Sequence, residues 1–204
     1  MNMRSVGFLG LISAGVVLWG GAVKADGPPL SSLIPLDLKP LTSVPASSAT
    51  PRPTLQVAVV PYEKLLPFLP EPPAGWVAEN PSGSTTDVEV FYLSTATRTY
   101  QKGDDENASV ATVTIIDAGG YKGYFETTTH SWKFTSNGPD GYDKAVEIDG
   151  IPGYEHFSKA ANSSSLCVIV GKRFFVQIEL IREDPKELRA WLKKLDLKKL
   201  AELR

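Results

Sequence analysis

From residue 88 onward the apolar positions alternate between two periods, one typical of strands and one of helices. Gly75-Trp76-Val77-Ala78-Glu79 reads as a short strand. Val88-Glu89-Val90-Phe91-Tyr92-Leu93 reads as a longer one, continuing with a bend to Tyr100. Ser109 to Asp117 alternates, with Val110 and Thr112 on one face and Ala111, Val113 and Ile115 on the other. After Gly119-Gly120 the period changes. Tyr121, Tyr124, Phe125, Thr128 and Trp132 form a helical stripe over 119–132. Asn137-Gly138-Pro139-Asp140-Gly141 is a turn cluster. Asp149-Gly150 between Val146-Glu147-Ile148 and Ile151 is a two-residue hairpin signal. Gly171-Lys172 joins 166–170 to 173–181, and a leading glycine suits a type II′ turn. Phe174, Val176, Ile178 and Leu180 share one apolar face, expected to pack on Leu188 and Leu192. Asp184-Pro185-Lys186-Glu187 has the form of a helix start and predicts a helix over 184–195, with Asp196 capping a further turn that places Leu197 and Leu200. The expected fold is α+β, residues 61–204 forming one domain. Its mostly antiparallel sheet of about six or more strands is flanked by two main helices, an α/β/α sandwich.

Upstream the pattern changes character. Arg4, the apolar run Val6 to Leu18, and Val23-Lys24-Ala25 have the order of an export signal, which predicts cleavage after Ala25. The alternative is retention as an N-terminal membrane anchor. Residues 26–60 read as a disordered linker, because Pro28, Pro29, Pro35, Pro40, Pro45, Pro51 and Pro53 remove backbone donors and disfavour helix or central strand. Leu33 and Leu36 are apolar for a spacer. With Tyr62, Phe68 and Trp76 at the start of the domain they form a candidate interaction surface.

Charge and chemistry narrow the function classes. Loss of residues 1–25 leaves 19 basic against 23 acidic residues, a mildly acidic chain that argues against nucleic acid and against docking on anionic lipid. The one cysteine, Cys167, has no internal disulfide partner and sits in the apolar run 166–170, which predicts a buried, inert thiol. The hairpin register places Asp143 opposite His156 with Glu147 on the same face. This polar cluster suits either acid–base chemistry or a solvated cross-strand pair. His130 lies one turn from Glu126. No HExxH, CxxC, GxSxG or P-loop order is present, and the run 104–107 lacks the alternation of an EF-hand loop. No catalytic residue, cofactor or metal is implied.

The Gly75-Trp76 start, the hairpin Val146-Glu147-Ile148-Asp149-Gly150-Ile151-Pro152-Gly153-Tyr154-Glu155, a second hairpin and a terminal helix together resemble the PsbP/Mog1-like α/β/α sandwiches. They are also similar to small exported bacterial proteins without known activity. The resemblance spans Tyr62 to Leu203 and implies a non-enzymatic accessory or binding module; it carries over no functional residues. The function expected is an exported, non-catalytic binding domain, periplasmic or extracellular, with an unidentified envelope or extracytoplasmic protein as partner. The alternatives are an envelope-tethered structural protein, or a hydrolase or metalloenzyme using His130 or His156. Intact mass of the protein recovered from the envelope is expected to correspond to a chain starting at Asp26. A mass that includes residues 1–25 establishes the anchor instead.

Overall fold

The computed structural model describes residues 58–88, 91–119 and 122–204. Leu33 and Leu36, with the linker and the export segment, lie outside the described residues. Helix α1 (Tyr62–Leu65) follows Pro61 and runs into a 3-10 turn, Leu66–Phe68. The strands are β1 (Val77–Ala78), β2 (Ser82–Val88), β3 (Phe91–Lys102), β4 (Ser109–Asp117), β5 (Ser136–Gly138), β6 (Gly141–Ile148), β7 (Ile151–Ser158), β8 (Ser163–Val170) and β9 (Phe174–Ile181). Helix α2 (Lys122–His130) lies between β4 and β5, and α3 (Glu187–Leu192) and α4 (Leu197–Glu202) close the chain.

All nine strands join one antiparallel sheet, ordered β1-β3-β4-β9-β8-β7-β6-β5, with β2 on the same edge of β3 as β1. This corrects the expected architecture. The fold is sheet-dominated, and no pair of main helices flanks it. Helix α2 has nine residues, a six-residue helix stands where one over 184–195 was expected, and α4 is the further turn expected after Asp196. Local chemistry explains both. In α2 the β-branched run Thr127-Thr128-Thr129 has low helix propensity, and the Thr129 hydroxyl bonds back to the Phe125 carbonyl at 2.7 Å. At the C-terminus α3 stops at Leu192 and the chain tightens into short-range turns, the Lys194 amide on the Trp191 carbonyl and the Leu195 amide on the Leu192 carbonyl; Asp196 (ψ 77°) then caps α4, its carboxylate accepting from the Lys199 amide at 3.0 Å. Asp184 bonds the Lys186 amide, and the helix starts at Glu187.

Three turns also differ from expectation. Val88 pairs with Phe91, so the chain reverses inside the segment read as one strand, and Ser82-Gly83-Ser84, despite its turn-like composition, belongs to β2. Asn137 and Gly138 of the expected turn cluster belong to strand β5, and Gly141 opens β6. Gly171 and Lys172 both have positive φ, so the turn is not type II′. Pairing resumes at Val170 with Phe174, which leaves Arg173 outside the ladder. The Asp149-Gly150 hairpin has the expected register, Ile148 opposite Ile151.

One face of the sheet carries the core. Ala111, Val113 and Ile115 of β4 pair with Leu180, Ile178 and Val176 of β9, and Phe174 completes the buried row. Leu65, Leu188, Trp191, Leu192 and Leu200 cover it. The other face is half-exposed and rich in threonine along β3 and β4, with the Thr97 and Thr114 hydroxyls 3.1 Å apart. Helix α2 covers part of that face through Tyr124 and Phe125, whose rings lie 5.3 and 4.6 Å from the Phe175 ring.

At the end of β4 the Asp117 carboxylate is fully buried. Its oxygens accept from the amides of Val60 (2.6 Å) and Gly119 (2.8 Å) and from Arg173 Nε (2.9 Å) and Nη2 (2.7 Å). Arg173 Nη2 also donates to the Ala58 carbonyl at 2.8 Å. Every contact to this carboxylate is thus a charge-assisted bond. Arg173→Met strands Asp117 as a buried, partly uncompensated charge and is expected to lower unfolding free energy by about 3–5 kcal/mol in urea melts. The Asp117→Ala/Arg173→Met double variant is expected to cost less than the sum of the single changes.

Candidate functional site

The two hairpin turns and the C-terminal helices converge at one corner of the core side. Ile148 and Ile151 flank the first turn, and Val170 and Gly171 form part of the second. With Leu197 and Ala201 of α4 they line a groove of 540 Å³. That volume falls within the range of about 300–1,000 Å³ common for ligand sites. Gly171 is required here. Its φ is +60°, and a Cβ would lie 3.1–3.2 Å from atoms of Ala201. On the other side of the α3–α4 connection, Pro67, Phe68 and Leu69 line a second groove of 350 Å³.

Between the grooves runs a lysine ridge. Lys193 and Lys198 line the larger groove, and Lys194 and Lys199 the smaller one. All four are exposed, and their ammonium groups have no acidic partner among the described residues. The nearby acids are mostly engaged: Asp196 caps α4 and Glu71 pairs with Arg98 at 3.4 Å, while Asp149 also lines the larger groove. Sequence reasoning missed this corner. Its signal was present between Lys186 and Arg204, where seven basic residues stand against three acidic ones inside a chain of net charge −2.

Of the sequence-derived aromatic candidates, Phe68 and Trp76 each give one side to the core. Tyr62 is half-buried against Gly83, where a Cβ would meet its ring at 2.4 Å. Phe68 is half-buried in the smaller groove. The Trp76 ring stands edge-on to Trp191 at 5.2 Å, under Lys102 Nζ at 5.7 Å. Beside them the Tyr100 hydroxyl donates to the Pro70 carbonyl at 2.6 Å, and burial pushes its pKa up to about 12.

The polar cluster lies on the opposite face of the sheet. Asp143 pairs with His156 across β6 and β7, and Asp143 Oδ1 is 2.7 Å from His156 Nδ1. Ser136 of β5 donates to Asp143 Oδ2 at 2.8 Å. Burial alone raises the Asp143 pKa; the bonds from His156 and Ser136 outweigh it and hold the group below the usual carboxylate value. The carboxylate therefore stands between serine and histidine. A nucleophilic triad needs the histidine in the middle, so Ser136, Asp143 and His156 do not form one, and among the described residues no hydroxyl is hydrogen-bonded to His156. Glu147 is exposed opposite Pro152, four residues from Asp143. His130 ends α2, exposed, with its ring 6.0 Å from the Phe134 ring. Among the described residues no three of His, Cys, Asp and Glu are placed to hold a metal ion.

A second buried carboxylate, Glu155, lies on the core face. It accepts from the Tyr142 hydroxyl at 2.5 Å and pairs with Lys144 at 3.2 Å and Arg189 at 3.8 Å, which ties α3 to the β6–β7 hairpin. Burial, and then this bond to Glu155, raise the Tyr142 pKa. Cys167 lies opposite Tyr154 and Gln177, and burial pushes its thiol up to about 12. At pH 8 such a thiol is reactive thiolate at roughly one part in 10⁴, against about one in four for a free cysteine. Native Cys167 is therefore expected to react with a disulfide reagent about a thousandfold more slowly than the urea-unfolded chain, accelerating as pH rises toward 10. Because folding raises this pKa, the associated stabilisation is complete below the unfolded value near 8.5 and is lost as pH rises from there toward 12. Equal reaction rates in native and unfolded protein would show the thiol to be open.

No helix among the described residues is long and apolar enough to cross a membrane. Comparison of the chain with models of protein families, with curated proteins and with solved structures gives no match in any of the three. Nothing in them identifies the PsbP/Mog1-like likeness.

Proposed function

We propose that this chain is an exported, non-catalytic binding domain that holds a partner protein at the corner formed by the two hairpin turns and the α3–α4 connection. The supporting observation is the 540 Å³ groove of aliphatic walls beside a row of lysines without acidic partners among the described residues. A packed monomer has no structural need of either feature. Aliphatic walls left half-open favour an apolar side chain, and unpaired like charges favour an acidic complement. The polar groups elsewhere are occupied in ways that serve the fold. Asp117 and Glu155 bind cations and amides, and Ser136 and His156 both bond to Asp143. Export rests on the order of charge, apolar run and small residues in 1–25.

A photo-crosslinking residue placed at Lys198, on the groove, is expected to trap one discrete protein adduct in intact cells. The same residue at Thr112, on the opposite sheet face, is expected to trap none. No adduct from position 198, or the same adducts from both positions, would overturn the proposal.

A further inference from the structure

Resting on that reading, we infer that the partner presents a segment that is both acidic and aliphatic, with carboxylates on the lysine ridge and a branched or linear apolar side chain in the larger groove. The charge distribution carries the inference. Between Lys186 and Arg204 the chain has a net charge of +4, whereas residues 26–185 hold 12 basic against 20 acidic residues. The mild acidity of the whole therefore conceals one basic corner on an acidic body. Screening at physiological salt acts over about 8 Å. A short acidic segment laid on the corner feels the four lysines, while an extended polyanion or an anionic bilayer also meets the repelling body.

The shape of the apolar surface makes the same distinction. A bilayer takes up side chains that protrude, yet the exposed large apolar residues, Val77, Phe134 and Ile181, are not among the residues that line either groove. Apolar area at the corner is recessed between Ile148, Ile151, Leu197 and Ala201. A recess takes a side chain of a docked segment. The placement of the lysines adds a spacing rule. Lys193 and Lys198 border the larger groove and Lys194 and Lys199 the smaller one, so acids flanking the inserted side chain reach the ridge. Asp149, which also lines the larger groove, disfavours an acid on the hairpin side and so gives the segment a direction.

The test is an NMR titration of the isotopically labelled purified protein with a short synthetic peptide of glutamate and leucine. Shift changes are expected at Ile148, Ile151, Leu197 and Ala201, with affinity falling several-fold as salt rises from about 0.05 to 0.2 M. Replacing the peptide's leucines by serine is expected to abolish the groove shifts. Lys193→Glu/Lys198→Glu reverses two exposed charges and is expected to weaken binding by about tenfold or more. The same reversal at the exposed Lys133 and Lys159 is expected to leave it unchanged. The proposal is overturned by no binding, by equal binding of the serine peptide, by indifference to the lysine reversals, or by equal binding of phosphatidylglycerol vesicles. If the photo-adduct at position 198 survives Lys193→Glu in cells while the peptide fails, the binding function stands and only the partner chemistry falls. Loss of both removes the function as well.

Discussion

The buried pair between Asp117 and Arg173 is the interaction on which the remaining arrangement depends. A carboxylate with no solvent exposure is costly to bury unless every lone pair is engaged, and here two amides and a guanidinium engage it. Each partner belongs to a different part of the chain. Val60 is the lead-in to the domain, Gly119 is the exit from β4 toward α2, and Arg173 is the residue the second hairpin leaves outside its ladder. One carboxylate thus sets the strand end, the chain reversal and the three-residue loop together. That loop begins at Gly171, which with Val170 at the end of β8 forms a wall of the larger groove, so the geometry of the candidate site is inherited from a charge pair beside it.

Glu155 plays the matching part on the other wall. Its bonds to Tyr142 and Lys144 on β6 and its pairing with Arg189 on α3 hold the hairpin against the terminal helices. The groove between them is therefore framed by elements that are tied to each other. Preorganised walls lose little entropy when a ligand enters, which favours recognition by shape and charge. The polar trio Ser136, Asp143 and His156 is built differently. It links three neighbouring strands at the sheet edge through a central carboxylate, a geometry that staples strands and differs from the histidine-centred order of a nucleophilic triad.

Much of the sheet was legible because its signals are local. The Asp149-Gly150 turn sets Ile148 opposite Ile151, and counting outward places Asp143 at His156. Alternation along β9 likewise put Phe174, Val176, Ile178 and Leu180 on the core side, all fully buried. The helices were overestimated because periodicity reports which face is apolar and says little about where a helix stops. Thr127-Thr128-Thr129 lower the helix propensity of α2, and α3 gives way after Leu192 to short-range turns before Asp196 caps α4. Strand β2 was missed because Ser82-Gly83-Ser84-Thr85-Thr86 has turn composition; it is an exposed edge held by pairing to β3.

The sequence by itself determined the alternating strands and the two hairpins, since each depends on residues adjacent in the chain. Only the tertiary structure decided the candidate site. Ile148, Val170 and Leu197 are far apart in sequence, and no local pattern marks them as walls of one groove. The lysines between 193 and 199 were visible as charge. Whether they had partners depended on where every acid of the folded chain came to lie, and that is a property of the packed sheet alone.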